Sequence, residues 1–384
     1  MERVLTNARI FDGFSWHENS ALLLSGGKVT GITPMVDTPS GHEWIDANGA
    51  TIIPGFVDLQ VNGGGGVMLN DDQSVDGIRQ ICAAHAKFGT TALLPTLITD
   101  TPEITAAAIK AGLDAKAASV PGFLGLHLEG PHLSVARKGT HHPALIRPME
   151  NIDLQRLLAV AHKFDALMIT VAPENTTLEQ VKSLAEAGFI VSLGHTNATY
   201  ETAKAYAEAG ARVVTHLFNA MSPLENRSPG LVGAALDLGQ LSCGIIADGF
   251  HVHPASLGAA IRAKRGPGHV FLVTDAMSTI GTDLDGLLLN GRQIYRKDGR
   301  LTLADGTLAG ADIDMLSSVL FIHTVLGIEF SEAIRMATVY PAHAAGVGHT
   351  KGSLKSGCDA DFVVLDEGHA IISTWIGGER VFTA

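Results

Sequence analysis

Four residues that can bind a metal or move a proton stand at the ends of predicted strands: Glu129, His195, His216 and Asp275. If their strands form a parallel barrel, the C-terminal strand ends meet at one mouth, so residues distant in sequence become neighbours. Two imidazoles and a carboxylate supply three ligands and leave a position open for water, which is the pattern of a catalytic Zn²⁺ site. Such a metal lowers the pKa of water towards about 7. Asp275 could then take the water proton and pass it to a leaving amine.

Each of these residues also has a simpler explanation. A single His at a barrel strand end is more often a hydrogen-bonded core residue. Glu129 or Asp275 could cap a helix or pair with an arginine. Their joint occurrence on predicted strands three, five, six and eight favours the metal site.

The third of these strands shows the pattern most clearly. In the segment Gly125–Glu129, leucines alternate with Gly125, His127 and Glu129, and Gly130-Pro131 follows directly. This period of two gives one apolar face and one small or polar face. Buried His and Glu side chains must meet a partner or a metal, because an unpaired buried charge is costly.

Strand and helix patterns alternate from residue 52 to about 346, and this alternation must position the site. The predicted strands are Ile53–Gln60, Ala92–Thr96, Gly125–Glu129, Ala166–Ala172, Phe189–His195, Arg212–His216, Ser242–Asp248 and Val270–Asp275. Helices are predicted at Ile78–Phe88 and near 102–118. Eight such units favour a (β/α)₈ barrel over an open doubly wound sheet. Residues 283–310 carry Asn290-Gly291 and Asp298-Gly299 turns, which predict a hairpin insertion after strand eight.

The two ends of the chain have a different character, with short strand-like runs separated by turns. Residues 1–53 and 347–384 are each too small for a sheet of their own, so we expect them to pair. The predicted fold class is α/β: a metal-dependent (β/α)₈ TIM-like barrel, residues 54–346, with a small β-sandwich domain built from both chain termini.

Composition excludes several classes of function. The 384 residues carry 27 basic and 39 acidic side chains, a net charge of −12, which argues against a nucleic-acid surface. Cys82, Cys243 and Cys358 are far apart and form no CxxC motif, so a reducing cytoplasm is expected. We expect no signal peptide, because the first 30 residues lack a basic start followed by an apolar core. We expect no membrane span, because no run reaches about 18 apolar residues.

The chain resembles the N-acetylglucosamine-6-phosphate deacetylases of the amidohydrolase superfamily. Motifs spread over the barrel in the family's order carry the resemblance: Pro54–Asp58, Leu93–Thr96, Gly125–Pro131, Lys138–His141, Gly194–Ala198, Thr215–Met221, Ala247–His251 and Val273–Ala276. The resemblance implies a homodimer and hydrolysis of the N-acetyl group of the sugar phosphate to acetate and an amino-sugar phosphate. We expect one divalent metal per chain, with Zn²⁺ favoured, although Fe²⁺ also accepts these ligands.

The same resemblance assigns the chemistry. Glu129, His195 and His216 match the metal ligands, and Asp275 matches the catalytic acid/base. His141 matches the residue that polarises the acetyl carbonyl and stabilises the oxyanion, a contact worth roughly 3–4 kcal/mol. The alternative for His141 is a loop histidine exposed to solvent.

Further residues match the positions that hold the sugar and its 6-phosphate: Asn219, Ala220, Arg227 and His251. Arg227 would reach the site of the neighbouring subunit, as in family members, or it would form a surface ion pair with Glu225. Met315 would pack on the sugar or acetyl group, or it would fill the core. His253 lies after strand seven, outside the superfamily's metal motif, and is not expected to be a ligand.

One departure from the superfamily lies after strand one, where many members carry His-x-His and bind two metals. This chain has Gln60 and Asn62 there, and amides are poor Zn²⁺ ligands, so one tightly held metal is expected. The following Gly63–Gly66 lacks the Lys-Ser/Thr of a P-loop and predicts a flexible turn at the barrel mouth.

Other functions remain open at this point. A preference for the galactosamine epimer is one, and hydrolysis of a cyclic amide or a nucleobase is another, although the latter enzymes usually need the strand-one histidines. A catalytically silent scaffold would be expected to have lost a ligand or the acid/base. A 2-His-1-carboxylate Fe(II) oxygenase has no evident use for Asp275.

Overall fold

The computed structural model describes residues 2–37, 43–289 and 291–384, so the predicted turn residue Asn290 lies outside the described residues. The chain begins with strands that pair among themselves. They are β1 (Glu2–Phe11), β2 (Trp16–Ser25), β3 (Lys28–Pro34), β4 (Glu43–Asp46) and β5 (Thr51–Pro54). Strand β1 pairs with β2 along one edge and with β4 and then β5 along the other.

Eight parallel strands of the described chain form the predicted barrel. The barrel strands are β6 (Phe56–Val61), β9 (Thr90–Ile98), β10 (Gly125–Glu129), β11 (Ala166–Val171), β12 (Ile190–Leu193), β13 (Val213–Val214), β14 (Ser242–Ile245) and β15 (Val270–Leu272). Between β6 and β9, strands β7 (Gly63–Gly64) and β8 (Val67–Met68) form a short hairpin outside the barrel sheet. The barrel closes beyond β15, where Val61 bridges Ala276 and the Asp275 N–H donates to the Gln60 carbonyl at 2.9 Å.

Helices follow most strands, and their first turns are capped by hydroxyl or carboxylate side chains, as at Ser74, Thr101 and Thr199. The helices are α1 (Val75–Ala86), α2 (Pro102–Ala117), α3 (Asn151–Leu158), α4 (Leu178–Glu186), α5 (Tyr200–Ala209), α6 (Gly230–Asp237), α7 (Pro254–Ala263), α8 (Met315–Leu326), α9 (Phe330–Ala337) and α10 (Val339–Ala344). None of the helices in the described chain is long and apolar enough to cross a membrane.

The two faces of β10 separate the core from the site, as its alternation predicts. Leu126 and Leu128 belong to the large apolar cluster between strands and helices. On the other face, His127 Nε2 lies 2.7 Å from Thr170 Oγ1 inside the barrel. Gly130 directly follows the strand with φ +94°, and a Cβ there would lie 2.2 Å from Thr99 Oγ1, so a side chain does not fit.

The predicted insertion forms a four-stranded antiparallel sheet of its own. Its strands are β16 (Gly286–Leu289), β17 (Arg292–Lys297), β18 (Arg300–Thr302) and β19 (Leu308–Ala311). The predicted turn at Asp298-Gly299 connects β17 to β18.

The C-terminal strands return to the N-terminal ones, as the sequence predicts. Strands β20 (Phe362–Leu365), β21 (Ile371–Ile376) and β22 (Glu379–Thr383) extend the first sheet, because β20 pairs with β5. A separate apolar cluster fills this region, with Phe362 stacked on Trp375 at 5.2 Å between ring centroids. The domain boundaries, residues 1–53 plus 347–384 and 54–346, stay a prediction.

Candidate active site

The site residues stand at the C-terminal mouth of the barrel, but three of them lie beyond their strands. Glu129 is the last residue of β10, as predicted. The prediction that His195, His216 and Asp275 end their strands is wrong, because β12, β13 and β15 stop at Leu193, Val214 and Leu272. These three residues have φ values of +48°, +26° and +52°, which no strand ladder accommodates. Such backbone strain in residues other than glycine is typical of functional sites.

Glu129, His195 and His216 converge on one point. The Glu129 Oε1 lies 3.2 Å from the His195 Nε2 and 3.1 Å from the His216 Nε2, and these two nitrogens are 3.0 Å apart. A tetrahedral Zn²⁺ with bonds of about 2.0–2.1 Å separates its ligands by roughly 3.3 Å. The three atoms therefore have nearly the spacing of ligands around one ion.

The hydrogen bonds of the imidazoles support the same conclusion. The His195 Nδ1 donates to the Arg137 carbonyl at 2.8 Å, which leaves the Nε2 lone pair directed at Glu129. Among the described residues the His216 Nδ1 has no hydrogen-bond partner. Two imidazole nitrogens and a carboxylate oxygen this close together repel one another unless a proton or a cation lies between them. This arrangement therefore suggests a divalent metal site, and the ligand atoms of Glu129, His195 and the neighbouring His141 also lie within 4.8 Å of one another.

Electrostatics in the site are dominated by burial and by the charge of Glu129. Burial alone would raise the Glu129 pKa, but the nearby imidazoles of His195 and His216 outweigh it and hold that pKa well below its usual range. Burial raises the pKa of Asp275, and the nearby Glu129 charge raises it further. For His216, burial opposes the charged form, yet the hydrogen bond to Glu129 gives a raised pKa.

His141 is buried in the site rather than exposed on a loop. Its Nε2 lies 3.8 Å from the Glu129 Oε2, while its Nδ1 accepts the backbone N–H of Thr99 at 3.3 Å. Burial, with a smaller contribution from His195, lowers the His141 pKa to about 3, so the ring is neutral. Because a backbone N–H can only donate, the ring proton is on Nε2. His141 thus presents a neutral N–H donor beside the three clustered ligands.

A cavity of about 420 Å³ joins these residues to most of the predicted substrate positions. The predicted residues that line it are Glu129, His141, His195, His216, Asn219, Ala220, His251 and Asp275. Other lining residues were not predicted, among them Ile98, Met277 and the insertion segment Gly306–Leu308. Their residue types do not indicate a binding site. Thr307 and Leu308 reach the barrel mouth only because the insertion folds over it.

Two supporting residues also escaped sequence reasoning. The His251 Nδ1 lies 2.6 Å from the Asp248 Oδ2, and the Asp248 Oδ1 accepts the N–H groups of Phe250 and His251. Thr99, the partner of His141, follows β9 directly. Both Asp248 and Thr99 are polar residues just beyond strands, so the rule that found Glu129 would have found them too.

Two predicted substrate residues lie outside this cavity. Met315 is fully buried in the large apolar cluster, which corresponds to the core-filling alternative. Arg227 is exposed in the loop before α6. The described residues form no salt bridge between Arg227 and Glu225, so the ion-pair alternative is not observed.

The barrel and the candidate metal ligands at its mouth are typical of hydrolases that use a metal, and the chain belongs to the amidohydrolase family, whose sequence profile matches residues 51–381. It is similar to an N-acetylgalactosamine-6-phosphate deacetylase of Shewanella sp. (strain ANA-3), at 40% identity over 99% of this chain and 96% of that protein. It is also similar to an N-acetylglucosamine-6-phosphate deacetylase of Haemophilus influenzae, at 36% identity over 99% of both chains. The crystal structure of N-acetylglucosamine-6-phosphate deacetylase from Pasteurella multocida superimposes with a TM-score of 0.95, at 37% identity over 100% of both chains. These comparisons confirm the resemblance inferred from the motifs.

Proposed function

We propose that the chain hydrolyses the N-acetyl group of N-acetyl-D-glucosamine 6-phosphate and releases acetate and D-glucosamine 6-phosphate in amino-sugar catabolism or recycling in the cytoplasm. One observation carries the proposal: the cluster of Glu129, His195 and His216, the buried carboxylate of Asp275 and the neutral imidazole N–H of His141 face one cavity. Amide hydrolysis needs these groups together, and relatives of this chain are named for that reaction.

Glu129, His195 and His216 are the residues that would hold the cation, and their two nitrogens and one oxygen suit Zn²⁺ best. When bound, the ion supplies Lewis acidity and lowers the pKa of water. We expect one ion per chain, because Gln60 and Asn62 direct their NH₂ groups, which cannot bind a metal, at the carboxylates of Glu129 and Asp275.

The chain's own groups then handle the proton and the developing charge. Asp275 accepts a proton from the attacking water as the new C–O bond forms, and it delivers that proton to the nitrogen as the C–N bond breaks. Its raised pKa suits this exchange, since the protonated form becomes accessible. The His141 Nε2–H donates to the acetyl oxygen as that atom gains negative charge.

The remaining cavity residues would hold the sugar phosphate. Asn219, Ala220 and His251 line the cavity beside the cluster. Arg227 is exposed and does not reach the cavity of its own chain. A homodimer in which Arg227 enters the neighbouring subunit's site would give the phosphate a guanidinium partner.

A second candidate substrate is the epimer N-acetyl-D-galactosamine 6-phosphate, because the relative that is 40% identical is named as a deacetylase of that sugar phosphate. The two sugars differ only in the orientation of one hydroxyl group, and no residue type in the cavity separates them.

Acetate release from both sugar phosphates and from unphosphorylated N-acetylglucosamine, on protein whose metal has been counted, tests the proposal. We expect turnover with about one metal per chain and with a phosphorylated sugar only. The faster epimer identifies the substrate. Bound metal without acetate release from either sugar phosphate would refute the deacetylase and point to another amide within the family.

A further inference from the structure

Two amide side chains at the end of the first barrel strand bind the carboxylate assigned to proton transfer. The Gln60 Nε2 lies 3.1 Å from the Asp275 Oδ1 and 3.2 Å from the Glu129 Oε1. The Asn62 Nδ2 lies 2.7 Å from the Asp275 Oδ1 and 3.2 Å from the Asp275 backbone carbonyl. Both side chains are buried, at 1% and 2% exposure.

These contacts use the two oxygens of Asp275 unequally. An amide NH₂ group only donates, so the Oδ1 accepts two hydrogen bonds. Within the described part of the chain, no side chain or backbone group hydrogen-bonds to the Oδ2. The carboxylate therefore has one oxygen that is held and one that is free to exchange a proton.

The orientation of the Asn62 amide follows from the acceptors around it. If the amide were reversed, the Asn62 Oδ1 would face the Oδ1 and the backbone carbonyl of Asp275. Three hydrogen-bond acceptors would then meet without a donor. In the observed orientation the Asn62 Oδ1 is buried and has no partner among the described residues. A buried acceptor without a hydrogen bond is destabilising. Asn62 thus donates to Asp275 although its own Oδ1 is left without a hydrogen bond.

Gln60 adds two further constraints. Its backbone carbonyl accepts the N–H of Asp275 at 2.9 Å, next to the left-handed φ of that residue. Its NH₂ group places one hydrogen towards each of two neighbouring carboxylates that otherwise repel each other.

We propose that Gln60 and Asn62 are positioning residues that fix the Oδ1 of Asp275 and leave the Oδ2 as the oxygen that takes and returns the proton. This inference rests on the proposed deacetylase function. It gives the Gln-x-Asn sequence an active role where many relatives in the superfamily have metal-binding histidines.

The variants Asn62→Leu and Gln60→Met remove the donors with little change in size. We expect kcat to fall about 10- to 100-fold in each, because a misplaced reacting group loses about that factor. The KM and the metal content should stay within about twofold. Gln180→Met is the matched control. Gln180 lies on helix α4, outside the cavity, and its Nε2 donates to the Met149 carbonyl at 2.8 Å. It should keep the wild-type kcat.

A double-mutant cycle with Asp275→Asn separates positioning from a general structural effect. If Asn62 acts through Asp275, adding Asn62→Leu to Asp275→Asn should change the residual rate, measured by long incubations, less than about twofold. An unchanged kcat in both single variants would overturn the inference. A fall in kcat that is proportional to a loss of bound metal would overturn it as well. So would a fall in kcat that is as large in the Asp275→Asn background as in the wild-type protein. Failure of the wild-type protein to release acetate would instead refute the proposed function, before any variant is made.

Discussion

The hydroxyl oxygen of Thr99 lies 2.8 Å from the Nδ1 of His141, the same nitrogen that accepts the Thr99 backbone N–H. One residue thus fixes both the orientation and the tautomer of the imidazole that faces Glu129. The arrangement keeps the ring proton on Nε2, where it can meet an acetyl oxygen.

Removal of the Thr99 hydroxyl should weaken catalysis without loss of the metal. In Thr99→Val the backbone N–H remains, so we expect kcat to fall only about fivefold, equivalent to about 1 kcal/mol, with KM unchanged. Thr99→Ser restores the hydroxyl and should stay within about twofold of wild type. Full activity in Thr99→Val would show that the backbone contact alone orients His141.

Asp248 should matter for substrate binding through His251. Asp248→Asn replaces the carboxylate that accepts the His251 Nδ1–H at 2.6 Å, so the ring loses its fixed orientation in the cavity. We expect KM for the sugar phosphate to rise about tenfold and kcat to change less. Asp237→Asn is a suitable control, because Asp237 pairs with the exposed Arg265 outside the cavity. If kcat falls and KM does not change, His251 acts in the chemical step instead.

Metal removal should lower both activity and thermal stability. A ligand that binds only the folded state stabilises it by about 4 kcal/mol at a thousand times its Kd. Added Zn²⁺ should therefore raise the Tm of chelator-treated wild-type protein. It should leave the Tm of Glu129→Gln almost unchanged, because that variant lacks the carboxylate shared by both histidines. An equal rise in both proteins would exclude Glu129 as a ligand.

The barrel and the main site residues could be predicted because their signals are local. Alternation around Glu129 predicts a strand with a polar inner face, and repeated strand and helix patterns predict the barrel. The true ends of β12, β13 and β15 could not be predicted. They depend on left-handed backbone at His195, His216 and Asp275, which the surrounding tertiary structure imposes on ordinary L-residues.

The surroundings of the substrate positions were harder to predict for a different reason. The sequence can suggest a role in substrate binding for Met315 or Arg227, but it cannot say whether the side chain enters the cavity of its own chain. Thr307 reaches the cavity only through the fold of the insertion. Such placements depend on contacts between distant segments, which periodicity and spacing do not encode.

His85 should make stability depend on pH in the acid range. Its side chain is fully buried, with the Nε2 2.9 Å from the Gly63 carbonyl, and burial lowers its pKa from 6.5 to about 4 despite that hydrogen bond. Above pH 6.5 both folded and unfolded forms are neutral, so the stability is fully present there. Between pH 6.5 and 4 only the unfolded form binds the proton, and the free energy of unfolding should fall by up to about 3 kcal/mol.

The variant His85→Gln isolates this contribution, since its amide can still donate to Gly63 and does not titrate. Urea midpoints at pH 7 and pH 5 should differ less in His85→Gln than in the wild-type protein. The variant should be no more stable than wild type at pH 7. An equal pH dependence in both proteins would show that other buried groups cause it.

The position of Arg227 predicts a site completed by a second subunit. Arg227→Ala should raise KM for the phosphorylated sugar about tenfold or more and leave the metal content unchanged, because a guanidinium–phosphate pair is lost. Arg262→Ala, which removes another exposed arginine at α7, is the control.

Subunit mixing then distinguishes a residue acting across a dimer from one acting within its own chain. In a hybrid of Arg227→Ala and Asp275→Asn subunits, the site with an intact Asp275 receives Arg227 from its neighbour. Random reassociation at equal amounts makes half of the dimers hybrid, each with one complete site, so up to about a quarter of the wild-type rate should return. If Arg227 acts within its own chain, every hybrid site is defective in one residue, and mixing will give no more activity than the two variants have separately.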